Sequence, residues 1–343
     1  MTRRPRRIMV LLSVTILLTL PPPMALAKQP AGDGSTASAW IFAPNPVVSL
    51  GPPGQFLTDN KDADYQALTD ELVEVVLTNL DGSGYLIGDW ANVRSSTGPL
   101  AFETDESFLY TRHDDRFEQV MAYYWVTQSQ LYIQETLGFG VNPDLDPINM
   151  ESQDVRINTW GVDNSYSWDK HDVLRFGKGG VDDAEDADVI LHEYGHSMHD
   201  SQVPGFGVGL EAGAIGEGFG DYWAATVAQV FAPAADPACV ADWDSVSYTS
   251  GTPHCLRRLD TTLMYPDLDG RIHRDGQVWS HALWNIRTSL GNVLADTIIL
   301  RAQFDFAPDT TMQEAAQDTV AVAALYGVAA QVQAAFQDRG ILP

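Results

Sequence analysis

The sequence predicts an α+β chain in two lobes, a β-rich N-terminal lobe and a mainly α-helical C-terminal one. Three observations carry this expectation. Short apolar runs broken by Asp-Gly and Ser-Gly turns fill residues 65–112, the spacing of strands and hairpins. From residue 211 onward, outside an excursion over 232–275, apolar residues recur at helical spacing. Between these regions, Asp188-Val-Ile-Leu-His192-Glu193-Tyr-Gly-His196-Ser-Met-His199 reads as one helix that stacks two imidazoles one turn apart.

Each element follows from local composition. Arg3, Arg4, Arg6 and Arg7 precede an apolar run from Ile8 to Leu20 and then Ala25-Leu26-Ala27, the layout of a secretory signal peptide over residues 1–27. Residues 28–60 are rich in Pro, Gly, Ser and Asp and read as an irregular leader. The N-terminal lobe is expected over 61–200. Its strand signals include Glu71-Leu-Val-Glu-Val-Val-Leu77 and Tyr85-Leu-Ile-Gly88. Its first long helix runs from Asp114 to Leu137, opened by acidic residues and closed by Gly138. Shorter strands follow to about Phe176, then an acidic loop with Asp182, Asp183, Glu185 and Asp186. The His192–His196 helix ends this lobe and forms the floor of a cleft against the helical lobe, 201–343, a usual place for a site.

With 46 acidic against 20 basic residues the formal net charge is −26, and loss of the signal arginines makes it more negative. No basic footprint for nucleic acid exists, and an anionic membrane is an equally poor partner. Apart from the signal, no stretch approaches the ~20 apolar residues of a membrane span. The two cysteines, Cys239 and Cys255, form an even count in a chain expected to be exported, which argues for one disulfide.

Two histidines at i and i+4 can share a tetrahedral Zn²⁺, and Glu193 then stands where it can polarise a water. A third ligand is needed. A metzincin continuation would require glycine at 199 and histidine at 202, where His199 and Gln202 stand. The alternative is a glutamate on a second helix. Glu217 and Asp221 are i and i+4 in Gly213-Ala-Ile-Gly-Glu217-Gly-Phe-Gly-Asp221-Tyr-Trp, a segment too apolar to leave carboxylates without partners. Glu217 can reach the metal while Asp221 accepts the spare N–H of a ligand imidazole. Glu211 is a rival third ligand but lacks an aspartate at helical spacing.

With these motifs the chain resembles the thermolysin-like zinc metallopeptidases (gluzincins), and its wording is closest to the fungalysin branch. The resemblance also runs through Asn164-Ser-Tyr-Ser-Trp168, Val173-Leu-Arg-Phe-Gly177, Cys255-Leu-Arg257 and Ile272-His273-Arg-Asp-Gly-Gln-Val-Trp279. It implies a thermolysin-like fold and a secreted peptidase whose Zn²⁺ is held by His192, His196 and Glu217, with Glu193 as general base. It gives His273 to stabilisation of the tetrahedral intermediate and Arg257 to a substrate carbonyl. Asn164 and the backbone of Ser165 would take the peptide as an added edge strand. A carboxylate at Asp188, with Glu185 nearby, is implied to help bind Ca²⁺; charge compensation at a helix N-terminus is the alternative.

The chain departs from the family in three places. No tyrosine lies between His196 and Glu217, where an oxyanion donor is expected, and Ala228 stands where a calcium carboxylate is expected. The sequence before the catalytic part is shorter than the family's long inhibitory pro-region. Some roles stay open: Asp269 or Asp267 could orient His273, His273 could be a surface histidine, and Arg257 could serve a structural ion pair. His199 reads as a surface residue or a neighbour of the ligands, while His113, His171, His254 and His281 receive no role. The expected partner is a peptide or protein, and the expected state a monomer. An inactive, zinc-containing secreted binding protein of the same fold is the alternative; the intact Glu193 argues against it.

Overall fold

The computed structural model describes residues 34–343, so the expected signal peptide lies outside the described residues. The first strand, β1 (Ser35–Ile41), falls within the stretch read as an irregular leader. Its polar composition hides a period of two: Ala37, Ala39 and Ile41 are buried on one face. Helix α1 (Pro46–Leu50) follows, with Asn45 capping it through a bond from the Val48 N–H. After α2 (Gln66–Thr69) and β2 (Val73–Leu80) come β3 (Ala91–Ser95) and β4 (Ser107–Phe108). Strand β1 pairs antiparallel with β2 and parallel with β4.

Helix α3 (Phe117–Leu131) is buried on nearly every face, as expected of a helix at the centre of a lobe. It runs on through a π-turn, Tyr132–Leu137, and stops at Gly138, whose φ of 88° is left-handed. Strands β5 (Gln153–Ile157), β6 (Tyr166–Trp168) and β7 (Val173–Arg175) complete a second sheet in the order β3-β5-β7-β6. Strand β6 is therefore an edge, antiparallel to β7.

The remaining long elements are helices: α4 (Ala187–Gln202), α5 (Leu210–Phe231), α6 (Ile272–Leu290), α7 (Asn292–Gln303), α8 (Met312–Leu325) and α9 (Ala329–Asp338). The hairpin β8 (Cys239–Val240) and β9 (Arg257–Arg258) interrupts them. The expected disulfide Cys239–Cys255 closes the loop of this hairpin with a Cα–Cα distance of 5.2 Å. This is the mixed, two-lobed α+β architecture that the sequence predicts. Among the described residues no helix is long and apolar enough to cross a membrane.

Glycine sets how closely α4, α5 and α6 pack. A Cβ on Gly195 of α4 would sit 3.1 Å from the Gly220 Cα, and one on Gly218 of α5 would meet the Gly276 carbonyl oxygen of α6 at 2.3 Å. The three helices therefore touch backbone to backbone, and side chains near the contact cross between them. A buried polar centre helps lock the C-terminal lobe to α3. Asp296 of α7 is fully buried and accepts hydrogen bonds from Tyr132, Tyr222 and Arg287.

Candidate active site

The close approach of α4 and α5 brings the motif residues together. His192 Nε2 and His196 Nε2 lie 3.1 Å apart. Glu217 Oε2 is 3.3 Å from His192 Nε2, and Glu217 Oε1 is 3.9 Å from His196 Nε2. Ligands at about 2.0–2.1 Å around a tetrahedral Zn²⁺ are separated by roughly 3.4 Å, so the three side chains fit one ion. Glu217 Oε2 is buried without a hydrogen-bond partner, an atom left waiting for a cation.

Asp221, one turn after Glu217 and fully buried, organises the site from behind. Its Oδ1 lies 2.9 Å from His192 Nδ1, which fixes the tautomer with Nδ1 protonated and Nε2 free for metal. Arg257 Nε and Nη2 each donate to Asp221 at 2.7 Å. Burial works against the Asp221 charge, yet the Arg257 guanidinium and His192 hold its carboxyl below the usual range. The two histidines move apart. Burial opposes the charge on His192, but the Asp221 and Glu217 carboxylates outweigh it and push the group up to about 10. Burial and the neighbouring His192 bring His196 down to about 4, against the pull of Glu217.

Glu193 is 7 % exposed, and burial is the main cause that raises it to about 7, the range in which a carboxylate can both take and return a proton. It accepts the backbone N–H of Ser167 on the edge strand β6. His273 lies in the first turn of α6, with its Nε2 3.4 Å from Glu217 Oε2 and its side chain 64 % exposed to the cleft. The cleft has a volume of ≈ 390 Å³ and is lined by Asn164, Ser165, His192, Glu193, Glu217 and His273, among others.

Residues 90–299 match the family described as Fungalysin metallopeptidase (M36), and that stretch contains the whole site. The chain belongs to the fungalysin family. Its fold is also similar to a solved structure described as the precursor of protealysin, a metalloproteinase from Serratia proteamaculans. The two share 18 % identity at a TM-score of 0.54, over 72 % of this chain and 84 % of that one. No curated protein matches the sequence. The protein is therefore a zinc metallopeptidase of the thermolysin-like class.

Within this fungalysin most motif residues converge, and three expectations need correction. Asp269 does not face His273, because Arg271 and Arg274 both draw its carboxylate away. Asp267 accepts instead from the Met264 N–H, so the carboxylate beside His273 is Glu217 itself. Glu185 is instead paired with Arg112 and accepts from Trp243 Nε1, so an arginine and not a calcium ion balances its charge in this structure. His199 is not a surface residue: it is 1 % exposed, stacks on Phe206 with ring centroids 3.7 Å apart, and lines the same cavity as His196 and Glu217. The rival ligand Glu211 accepts from Met312 N and Tyr265 OH at the start of α5. Arg257 does form the ion pair weighed for it, with Asp221. Two tyrosines line the walls of the site. Tyr166 stacks on Trp160, and the hydroxyl of Tyr248 is taken by Asp244.

Sequence reasoning missed two contributors. One is the Ser167 amide, which carries no side-chain signal. The other is Gly220, where a Cβ would lie 2.7 Å from His192 Nδ1. Its place beside Asp221 in Glu217-Gly-Phe-Gly-Asp221 is the one hint the sequence offers.

Proposed function

We propose that the protein is an exported endopeptidase that hydrolyses internal peptide bonds with Glu193 as general base. The observation that carries this reading is the geometry around Glu193: buried in the cleft, on the zinc helix, beside the donor set of His192, His196 and Glu217. Bound there, Zn²⁺ would supply a Lewis acid for the scissile carbonyl and acidify water. A peptide joins the outer edge of β6, next to Asn164 and Ser165. The Glu193 carboxylate takes a proton from the attacking water and returns it to the leaving amine. His273 donates to the oxyanion from the rim of the cleft, and Arg257, already fixed by Asp221, turns its Nη1 toward a substrate carbonyl. Export is supported by the signal-like residues 1–27 and by the disulfide.

The test is hydrolysis of casein and of quenched peptides by the parent, the chelated parent and Glu193→Gln. Chelation is expected to abolish activity and Zn²⁺ to restore it. Glu193→Gln is expected to lose about 10²- to 10⁴-fold in kcat while retaining one zinc per chain. A zinc-loaded parent that cleaves none of these substrates would favour the inactive binding protein instead.

A further inference from the structure

The cleft continues past His192 and Glu193 into a cavity of ≈ 210 Å³ whose lining includes Asp163, Asp183 and Asp244. One carboxylate oxygen from each of these aspartates lies within 4.8 Å of the others. None of the three pairs with a basic side chain among the described residues. Asp183 is 2 % and Asp244 4 % exposed, while Asp163 is half-buried. Each buried aspartate has one oxygen satisfied, by Ser165 Oγ and by Tyr248 OH respectively, and its Oδ1 without a partner. Burial is the main cause that raises all three carboxyls above the ordinary range, Asp163 to about 6 and Asp183 to about 7. The basic groups in the same lining are already engaged. Arg257 donates twice to Asp221, His192 lies against Asp221 and Glu217, and His273 against Glu217. Val189, Val240 and Leu256 give the cavity apolar surface as well.

We propose that this cavity is a specificity pocket for a lysine or arginine side chain next to the scissile bond, with Asp163, Asp183 and Asp244 receiving its charge. The inference rests on the peptidase reading above and names the substrates that site prefers. Lysine and arginine join an apolar stem to a charged head, and the lining offers a surface for each. Charge-assisted hydrogen bonds run at about 2.7–2.9 Å, so oxygens placed tetrahedrally around one ammonium stand about 4.4–4.7 Å apart. The three aspartate oxygens fall within that spread. An apolar side chain would leave the buried oxygens unpaired, and an acidic one would add a like charge. Rejection of these two classes contributes to selectivity as much as attraction of the third. His192 and Glu193 line both the cleft and this cavity, which places the bound side chain beside the bond under attack.

The experiment gives the zinc-loaded full chain quenched peptides that differ at one residue on either side of the cleaved bond, with the cut located by mass spectrometry. Lysine and arginine are expected to exceed norleucine, which keeps the stem and lacks the charge, by about tenfold or more in kcat/KM, with glutamate poorest. Asp163→Asn and Asp244→Asn should each remove most of that preference while norleucine cleavage and zinc content stay unchanged. If the buried variant does not fold, Asp163→Asn, at the half-buried member, carries the same expectation. Binding of the same peptides to zinc-loaded Glu193→Gln, read by fluorescence anisotropy, repeats the comparison without turnover. Cleavage with no advantage for lysine or arginine would overturn the pocket and leave the peptidase standing. No cleavage, with lysine-selective binding that Asp163→Asn abolishes, would overturn the peptidase and keep the pocket. A preference that persists undiminished in the folded aspartate variants would belong to other residues, and the pocket would fall.

Discussion

Asp221 shows how much one side chain decides in this site. It pins the His192 tautomer and neutralises Arg257 with the same carboxylate. Replacing it with asparagine keeps the shape and removes the charge. Asp221→Asn should therefore weaken zinc binding by about 10–100-fold, as read by competition with a chelator of known affinity. It should also lower thermal stability, since Arg257 is left nearly buried without its partner. Unchanged zinc affinity would mean that the His192 orientation is set by packing alone. The aspartate at helical spacing from Glu217 made this residue legible in the sequence. Its bond to Arg257 was legible only as one of two options, because nothing in a linear string says which carboxylate an arginine reaches.

At the scale of elements, the site depends on how closely two helices meet. Gly220 faces His192 so tightly that a methyl group would lie 2.7 Å from Nδ1, whereas a Cβ on Gly216 has no heavy atom nearer than 3.6 Å. Gly220→Ala should push His192 or α5 away and reduce zinc affinity at least tenfold. Gly216→Ala serves as the control and should be neutral or gain about 0.5–1 kcal/mol from better helix propensity. Equal behaviour of the two variants in a zinc titration would show that the close approach is not what positions the imidazole. The helices were readable from periodicity and from the His192, His196 and Glu217 spacings. The strand β1 was not, because its inward face is built from small residues such as Ala37 and Ala39 in a polar, glycine-rich stretch. The position of β6 at a sheet edge likewise became visible only once its partner β7 was placed.

At the scale of the whole molecule, the excess of acid is partly internal. Glu118, in the first turn of α3, is 1 % exposed, and burial, reinforced by the charges of Glu185 and Asp182, pushes its carboxyl well above the ordinary range. A carboxyl raised in the fold adds its full stability below the ordinary carboxylate range and loses it as pH rises toward the folded value. Glu118→Gln cannot ionise. Its thermal midpoint should therefore gain on the parent as pH rises above the ordinary carboxylate range, with the parent losing up to about 1.4 kcal/mol per pH unit over the responsive range. A gap between the two that does not change with pH would contradict this account. Arg112 works in the opposite sense: nearly buried, it gathers Asp59, Asp62 and Glu185 and so offsets part of the internal charge.

Sequence by itself pointed to the site: the donor set His192, His196 and Glu217 proposed for the metal, the proposed base Glu193, the α+β order of elements and the cysteine pair. These are local facts, since ligand spacing on a helix and the periodicity of a strand or helix are set by backbone geometry over a few residues. Tertiary structure alone decided which of the many carboxylates serve which role. It gave Asp269 to two arginines and Glu185 to Arg112, and it left Asp163, Asp183 and Asp244 facing one another. A charge's partner depends on which segments the fold brings within a few ångströms and on how much water it removes between them, and neither quantity is written in the order of residues.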